Sequence, residues 1–480
     1  MANPLADLLL RAARTTPRAP LLRGPHGPAW SHGDLDAASA RLANALVARG
    51  VTPADRIVAQ VGKSAGAIAL HVAVARAGAV FVPLNTAYTG DEVAALVADA
   101  DPALVVDDAT LGDLHAEAAS LPATFADVGR DAGDPASMLY TSGTTGRPKG
   151  AVLTHGNLTF SASTLAAAWG FTGRDVLVHV LPLFHTHGLF VAVHCVLVSG
   201  ASMVLLERFD PAAVAAELPA ATVLMGVPTH YTRLLAEPAF DATATVGMRL
   251  FTSGSAPMLV ATHEEFTART GHRILERYGM TETCMLTSNP LDGERKPGTV
   301  GPPLPGVDVR VTGAEHGAPG AIEVRGPNVF QGYWRRPELA ATEFTADGWF
   351  ITGDLGRFDA DGYLEIVGRA KDLVISGGLN VYPKEVELVL DGIHGVAESA
   401  VVGLPDGDLG EAVIAAVVLE PGSTVRPDEI HRLARRQLAA FKLPKRVHVV
   451  DALPRNTMGK VAKAELRSAL ADLPAEMEGG

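Results

Sequence analysis

The sequence predicts a two-lobed α/β protein, with a large N-terminal lobe of α/β subdomains and a small α+β C-terminal lobe. Three observations carry this. Strand and helix patterns alternate at βαβ spacing across residues 31–108. After about residue 300 short turn-linked strands take over, and past residue 368 a new α+β pattern begins. At 480 residues the chain is also too long for one core, since domains usually run to ~100–200 residues.

The elements follow in order. Ser31-His-Gly-Asp34 has the form of a capping box, with Leu35, Leu42 and Leu46 on one helical face and Gly50 as the stop. RIVAQV (56–61) predicts a strand, and a small-residue helix across 65–77 leads to the strand AVFVPL. DEVAALVADA (91–100) reads as a helix and ALVVDD (103–108) as a buried strand, giving a mostly parallel sheet with covering helices. VDVRV (307–311) and AIEVRG (321–326), joined by TGAEHGAPG, predict antiparallel strands in a β-barrel-like portion of the large lobe. Beyond GRAKD (368–372), KEVELVLDGI reads as helix, AESAVVGLPD and EAVIAAVVLE as strands, and PDEIHRLARRQLAAF (427–441) as helix.

Composition narrows the function classes. A chain 48% hydrophobic and 19% charged is ordinary globular material. A net charge of −13 argues against coating nucleic acid or an anionic membrane. Two cysteines, Cys195 and Cys284, cannot build a disulfide framework or a four-cysteine zinc site, and fit a reducing compartment. The apolar stretch 67–84 carries His71 and Arg76 and breaks at Gly78 and Pro83, so it is no membrane span. The first twenty residues lack the order of a secretory signal, and a cytoplasmic protein is expected. From Ile430 to Lys463 nine Lys/Arg residues face one acid, Asp451. Its loop portion after residue 441 suggests a polyanionic partner such as a nucleotide or phosphorylated cofactor.

The strongest local signal is Tyr140-Thr-Ser-Gly-Thr-Thr-Gly-Arg-Pro-Lys-Gly150. Thr141, Ser142, Gly143, Thr144 and Thr145 can present N–H and O–H donors to phosphate oxygens, and Lys149 adds a fixed charge. Gly150 follows the lysine where a Walker A loop requires Ser or Thr. RYGMTET (277–283) offers Tyr278 for stacking, Thr281 as a hydroxyl donor to phosphate and Glu282 as a hard oxygen ligand for magnesium. SGSAPM (253–258) is small enough for a flat base to lie against. Asp354 can accept hydrogen bonds from two ribose hydroxyls, and Arg369 can donate to the same sugar. His185 and His187 have no HExxH or cysteine partner, which points away from zinc.

Taken with LPLFHTHG (181–188), ITGDLG (351–356), GRAKDLVISGGLNVYPKEVE (368–387) and PRNTMGK (454–460), these segments resemble the acyl- and aryl-adenylate-forming superfamily over nearly the whole chain. The resemblance implies the adenylate-forming fold: an N-terminal adenylation domain at 1–368, a hinge at 369–371 centred on Lys371, and a mobile C-terminal domain at 372–480. It implies ATP, Mg2+ and coenzyme A as co-substrates and cofactors. Nucleotide contacts fall on Ser255, Ala256, Arg277, Tyr278, Gly279, Met280, Asp354 and Arg369. Glu282 and Thr141 would serve the metal, and Lys460, Lys149, Thr281 and His185 the chemistry, with His185 as a gate. Gly377 and Gly378 would flank the pantetheine arm.

Within the superfamily, FHTHGLF, GVPTHYTRLL (226–235) and TETCMLTSNP (281–290) most resemble malonyl-CoA synthetases. That resemblance assigns Arg233 to the far carboxylate of a small dicarboxylate, malonate or methylmalonate, and places His187, Thr186 and Met285 beside the acid. A monocarboxylate is then expected to leave the Arg233 charge buried and unpaired. Leu286 departs from the asparagine of close relatives. The alternatives are a ligase for another short carboxylic acid and a stand-alone adenylation enzyme loading an acyl carrier protein.

Overall fold

The computed structural model describes residues 2–24, 27–141, 148–313, 318–377, 379–407, 409–455, 459–471 and 473. The chain divides into two compact units, Met1–Val309 with Val324–Phe350, and Arg310–Glu323 with Ile351–Gly480. The division falls upstream of the GRAKD segment, so the 369–371 hinge rests on its sequence motif alone.

The first unit holds two mostly parallel sheets where the sequence suggested one. The larger runs in the order Thr287–Ser288, Leu275–Tyr278, Leu250–Ser253, Val223–Gly226, Val176–His179, Ser202–Leu205, Pro20–Gly24, Gly27–Ser31. Its inner strands pair in parallel and its two outermost pairings are antiparallel. The second sheet runs Gly332–Tyr333, Lys149–Thr154, Pro135–Thr141, Val80–Pro83, Arg56–Gln60, Leu104–Asp107. Val176–His179 and Val80–Pro83 are buried at every position, which is why they read as continuous apolar runs.

Helix His32–Ala48 starts at the expected capping box, Ser31 with Asp34. Helix Ala65–Arg76 is buried from Ala67 onward, and its small residues allow the close packing that complete burial requires. Arg76 at its end is paid for electrostatically by Asp36 and Asp127, each at 2.7 Å. Cys195 and Cys284 are free and buried.

In the second unit, Asp308–Thr312, Gly320–Arg325, Phe350–Phe358 and Leu364–Arg369, most of whose residues fall in that unit, line up in that order as a four-stranded sheet. Val396–Asp406 and Gly410–Leu419 form a long antiparallel pair, to which Arg446–Val449 adds in parallel. Helix Pro383–Asp391 packs Val386 and Leu390 into the core shared with Val401, Ala415 and Ile430. The helix expected over 427–441 ends at Ala434. Leu443 takes extended geometry before Pro444, as proline demands of its predecessor, and only a short 3-10 turn, Ala440–Lys442, forms ahead of it. The basic run is largely structural: Arg432, Lys442, Lys445, Arg455 and Lys463 pair with Glu429, Glu385, Asp406, Glu398 and Glu387.

Buried histidines set an acid limit on the first unit. His71 and His194 are fully enclosed with Nε2 atoms 2.9 Å apart, so one ring donates and the other accepts. Burial pushes His71 down to about 3 and His155 to about 4, and holds His179, His187 and His194 well below the ordinary value. These rings stay neutral in the fold while the unfolded chain protonates near its usual ~6.5. Their contribution is therefore complete above that pH and declines as pH falls below it, by up to about 1.4 kcal/mol per pH unit for each ring. Asp391, pushed up to about 6 by burial, works in the opposite sense, but within the second unit. Urea titrations at pH 7.5, 6.0 and 5.0, followed by first-unit tryptophan fluorescence, should show a midpoint that drops with acid. A constant midpoint would refute this account.

Candidate active site

In the larger sheet the parallel strands end on one edge at His179, Gly226, Ser253 and Tyr278. The segments that leave these ends carry most of the residues singled out above. Ligands in α/β folds bind outside the carboxyl ends of strands for this reason.

Strands Pro135–Thr141 and Lys149–Thr154 pair antiparallel with Thr141 opposite Lys149. The two residues thus flank the segment 142–147, whose Ser142, Gly143, Thr144 and Thr145 lie outside the described residues. The Lys149 ammonium forms an ion pair with Glu343 at 2.9 Å and sits 4.9 Å from the Tyr333 ring centre. The Tyr333 hydroxyl donates to Glu282 at 2.9 Å, and Thr141 reaches the same carboxylate oxygen at 3.4 Å. Glu282 is buried. Among the described residues no group of three or more acidic, histidine or cysteine side chains could hold a metal. One carboxylate and one hydroxyl fit magnesium that takes its other ligands from phosphates and water. Thr281 beside Glu282 is half-buried.

Strand Leu250–Ser253 delivers Gly254, Ser255 and Ala256, with Ser255 in left-handed geometry at φ 68°. Arg277 on the neighbouring strand is 3% exposed and lies across Gly254, where an added Cβ would meet its Nη1 at 2.3 Å. Its Nε and Nη2 have no partner among the described residues, and desolvation lowers the guanidinium to about 10. A buried cation with unused donors is suited to an anion or a polar ligand edge. Tyr278 and Met280 are half-buried. Gly279 between them abuts the Cys284 carbonyl, which a Cβ would meet at 1.9 Å.

Among the acid-side residues, Thr186, His187 and Met285 are buried and His185 is half-buried. Neither ring nitrogen of His187, nor the Thr186 hydroxyl, has a partner among the described residues. Desolvation first, then the Arg277 charge, keeps His187 neutral, so the His185–Gly188 segment and the Arg277 strand are electrostatic neighbours. The His179 ring meets the Gly188 carbonyl at 2.8 Å and anchors this segment to the sheet. Helix Pro228–Leu235 presents His230 stacked on Phe209, ring centres 4.0 Å apart. Arg233 on that helix is exposed, which corrects the expectation of a buried charge. It lies in the helix's last turn, on the opposite side from the buried Tyr231, Leu234 and Leu235.

In the second unit, Asp354 and Arg369 face each other across paired strands, and Arg369 Nε meets Asp354 Oδ1 at 2.6 Å. Asp354 is 4% exposed while Arg369 is half-exposed. Lys371 is exposed on the short turn Ala370–Asp372. Gly377 is exposed at φ 59°, and Gly378 lies outside the described residues. Lys460 is exposed after Gly459.

Sequence reasoning missed Tyr333, Glu343, Asn328 and Lys63. Asn328 is fully buried and donates to the Thr283 and Met285 carbonyls, both at 2.8 Å, clamping the segment that carries Glu282. An asparagine after Gly-Pro reads as a turn residue, and nothing local marks this role.

Residues 9–334 match the family described as AMP-binding enzyme, and residues 385–460 match the AMP-binding enzyme C-terminal domain. The ATP-bound crystal structure of MatB from Rhodopseudomonas palustris superposes with a TM-score of 0.93 at 49% identity, covering 97% of this chain and 99% of that one. A malonate–CoA ligase of Arabidopsis thaliana is 40% identical over 380 residues, 72% of this chain and 62% of that protein. A feruloyl-CoA synthase of an Amycolatopsis species is 37% identical over 481 residues, 95% of this chain and 97% of that protein. This chain thus spans less than two thirds of the length of the plant relative.

Proposed function

Since the chain belongs to the AMP-binding enzyme family, we propose that it is an AMP-forming acid–CoA ligase acting on a small dicarboxylate, malonate first and methylmalonate second. In the first half-reaction a carboxylate oxygen bonds to the α-phosphorus of ATP and pyrophosphate leaves. In the second the coenzyme A sulfur bonds to the acyl carbon and AMP leaves. The observation that carries the reading is the joined constellation Lys149, Tyr333, Glu282 and Thr141.

Thr141 and Lys149 serve the phosphates together with the segment between them, and Thr281 adds a hydroxyl. Glu282 and Thr141 hold the metal, which when bound offsets phosphate charge. Ser255, Ala256, Tyr278, Gly279 and Met280 receive the adenine side, while Asp354 and Arg369 serve the ribose. Lys460 serves adenylation, Lys371 is the hinge, and Gly377 with Gly378 admits the pantetheine arm. His185 gates the acid, His187, Thr186 and Met285 surround it, and Arg233 draws its far carboxylate from solvent. The enzyme works in the cytoplasm.

The deciding assay measures AMP release with Mg-ATP, using coenzyme A or a holo acyl carrier protein as thiol and malonate, methylmalonate, succinate, acetate, propionate or ferulate as acid. Malonate with coenzyme A should give the highest kcat/KM. A preference for propionate or ferulate would overturn the dicarboxylate reading, and a preference for the carrier protein would overturn the acceptor.

A further inference from the structure

Lys63 lies between strand Arg56–Gln60 and helix Ala65–Arg76. Its ammonium reaches out of the smaller sheet to the larger one and donates to the His179 carbonyl at 2.8 Å, at the carboxyl end of Val176–His179. The same His179 fixes the Gly188 carbonyl through its ring, so one residue holds both Lys63 and the end of the His185–Gly188 segment.

Lys63 is half-buried, and no carboxylate among the described residues lies within ion-pair distance of it. Desolvation pulls its pKa well below the ordinary lysine value. The ionisable groups whose charges bear on this corner, Arg233 and Lys63 on His230, and Arg277, His185, His230 and His179 on His187, are all basic. A half-buried ammonium with basic neighbours and no carboxylate partner keeps only part of its hydration, which favours the arrival of an anion. Arg233, being exposed, cannot impose that penalty on the wrong acid, because water solvates it whether or not a second carboxylate arrives.

We propose that Lys63 is a second specificity-determining cation, which together with Arg233 receives the far carboxylate of the substrate. The assignment rests on the dicarboxylate reading above. Arg233 supplies attraction from solvent, whereas Lys63 supplies discrimination: a monocarboxylate leaves its partly desolvated ammonium unmatched.

The test uses the full-length enzyme with Mg-ATP and coenzyme A, reading AMP release from malonate and from propionate in wild type, Lys63→Met and Lys63→Arg, with melting curves for each. Lys63→Met should raise the malonate KM by ~10–100-fold with a smaller change in kcat, and should improve the use of propionate. The malonate-to-propionate ratio of kcat/KM then collapses, and Lys63→Arg restores most of it. A merely structural lysine would instead lower the melting temperature and weaken both acids alike, which overturns the assignment. Should Lys63→Met not fold, Lys63→Gln, which keeps a donor for the His179 carbonyl, carries the same comparison. If wild type prefers malonate and the neutral variants keep that preference, Lys63 has no such role while the dicarboxylate reading stands. If wild type prefers propionate, both fall together.

Discussion

Replacing Lys460 with alanine is expected to slow acyl-adenylate formation by ~10²–10³-fold, the usual cost of removing a preorganised donor from a charge that builds up in the transition state. Thioester formation from supplied malonyl-AMP and coenzyme A should keep its wild-type rate, because that step substitutes at the acyl carbon and the phosphorus passes through no five-coordinate transition state. Lys460 suits a role of this kind: it is exposed and follows Gly459, whose φ of 74° sets the chain in a geometry that a side chain would resist. Pyrophosphate release reports the first half-reaction and AMP release from the prepared adenylate reports the second. An equal loss in both would remove Lys460 from the role assigned to it.

Arg233→Ala is the second large effect. The exposure of Arg233 tempers its magnitude, since an exposed charge is screened and relaxed by water. We expect a ~10–100-fold loss in kcat/KM for malonate, carried mostly by KM, with small monocarboxylates nearly unaffected. Methylmalonate keeps both carboxylates and adds a methyl group beside Thr186 and Met285. A misfit there is worth ~1–3 kcal/mol, so wild type should use it more slowly than malonate. Steady-state kinetics on the three acids decides the matter, and normal malonate turnover in the alanine variant would dismiss Arg233.

Much of this was legible because it is local. The βαβ alternation and the Ser31 capping box each depend on residues close in sequence, and the chain wrote them plainly. The rest depended on contacts that no window contains. Tyr333 joins Glu282 from 51 residues away, and Glu343 meets Lys149 from 194 residues away. Lys63 drew no notice in the sequence because its contact with the His179 carbonyl arises only where two sheets meet. The basic run after Ile430 misled in the other direction. Its excess of cations is real in sequence, but acids from a strand and a helix elsewhere in the second unit pair with four of them, and Glu429 on the same helix pairs with Arg432. Arg233 illustrates a third kind of error: its surroundings were taken as dry, and the side chain is exposed.

Backbone closes against backbone where Gly279 meets the Cys284 carbonyl, and Asn328 ties the Thr283 and Met285 carbonyls from behind. The shape of this turn is therefore indifferent to the side chains that follow it. Met285 and Leu286 are buried, so an exchange there costs packing, but the backbone contacts that hold this turn run through neither side chain. A lineage could thus trade one carboxylic acid for another while leaving its nucleotide machinery untouched, and the Leu286 that stands here is the kind of exchange such an arrangement permits.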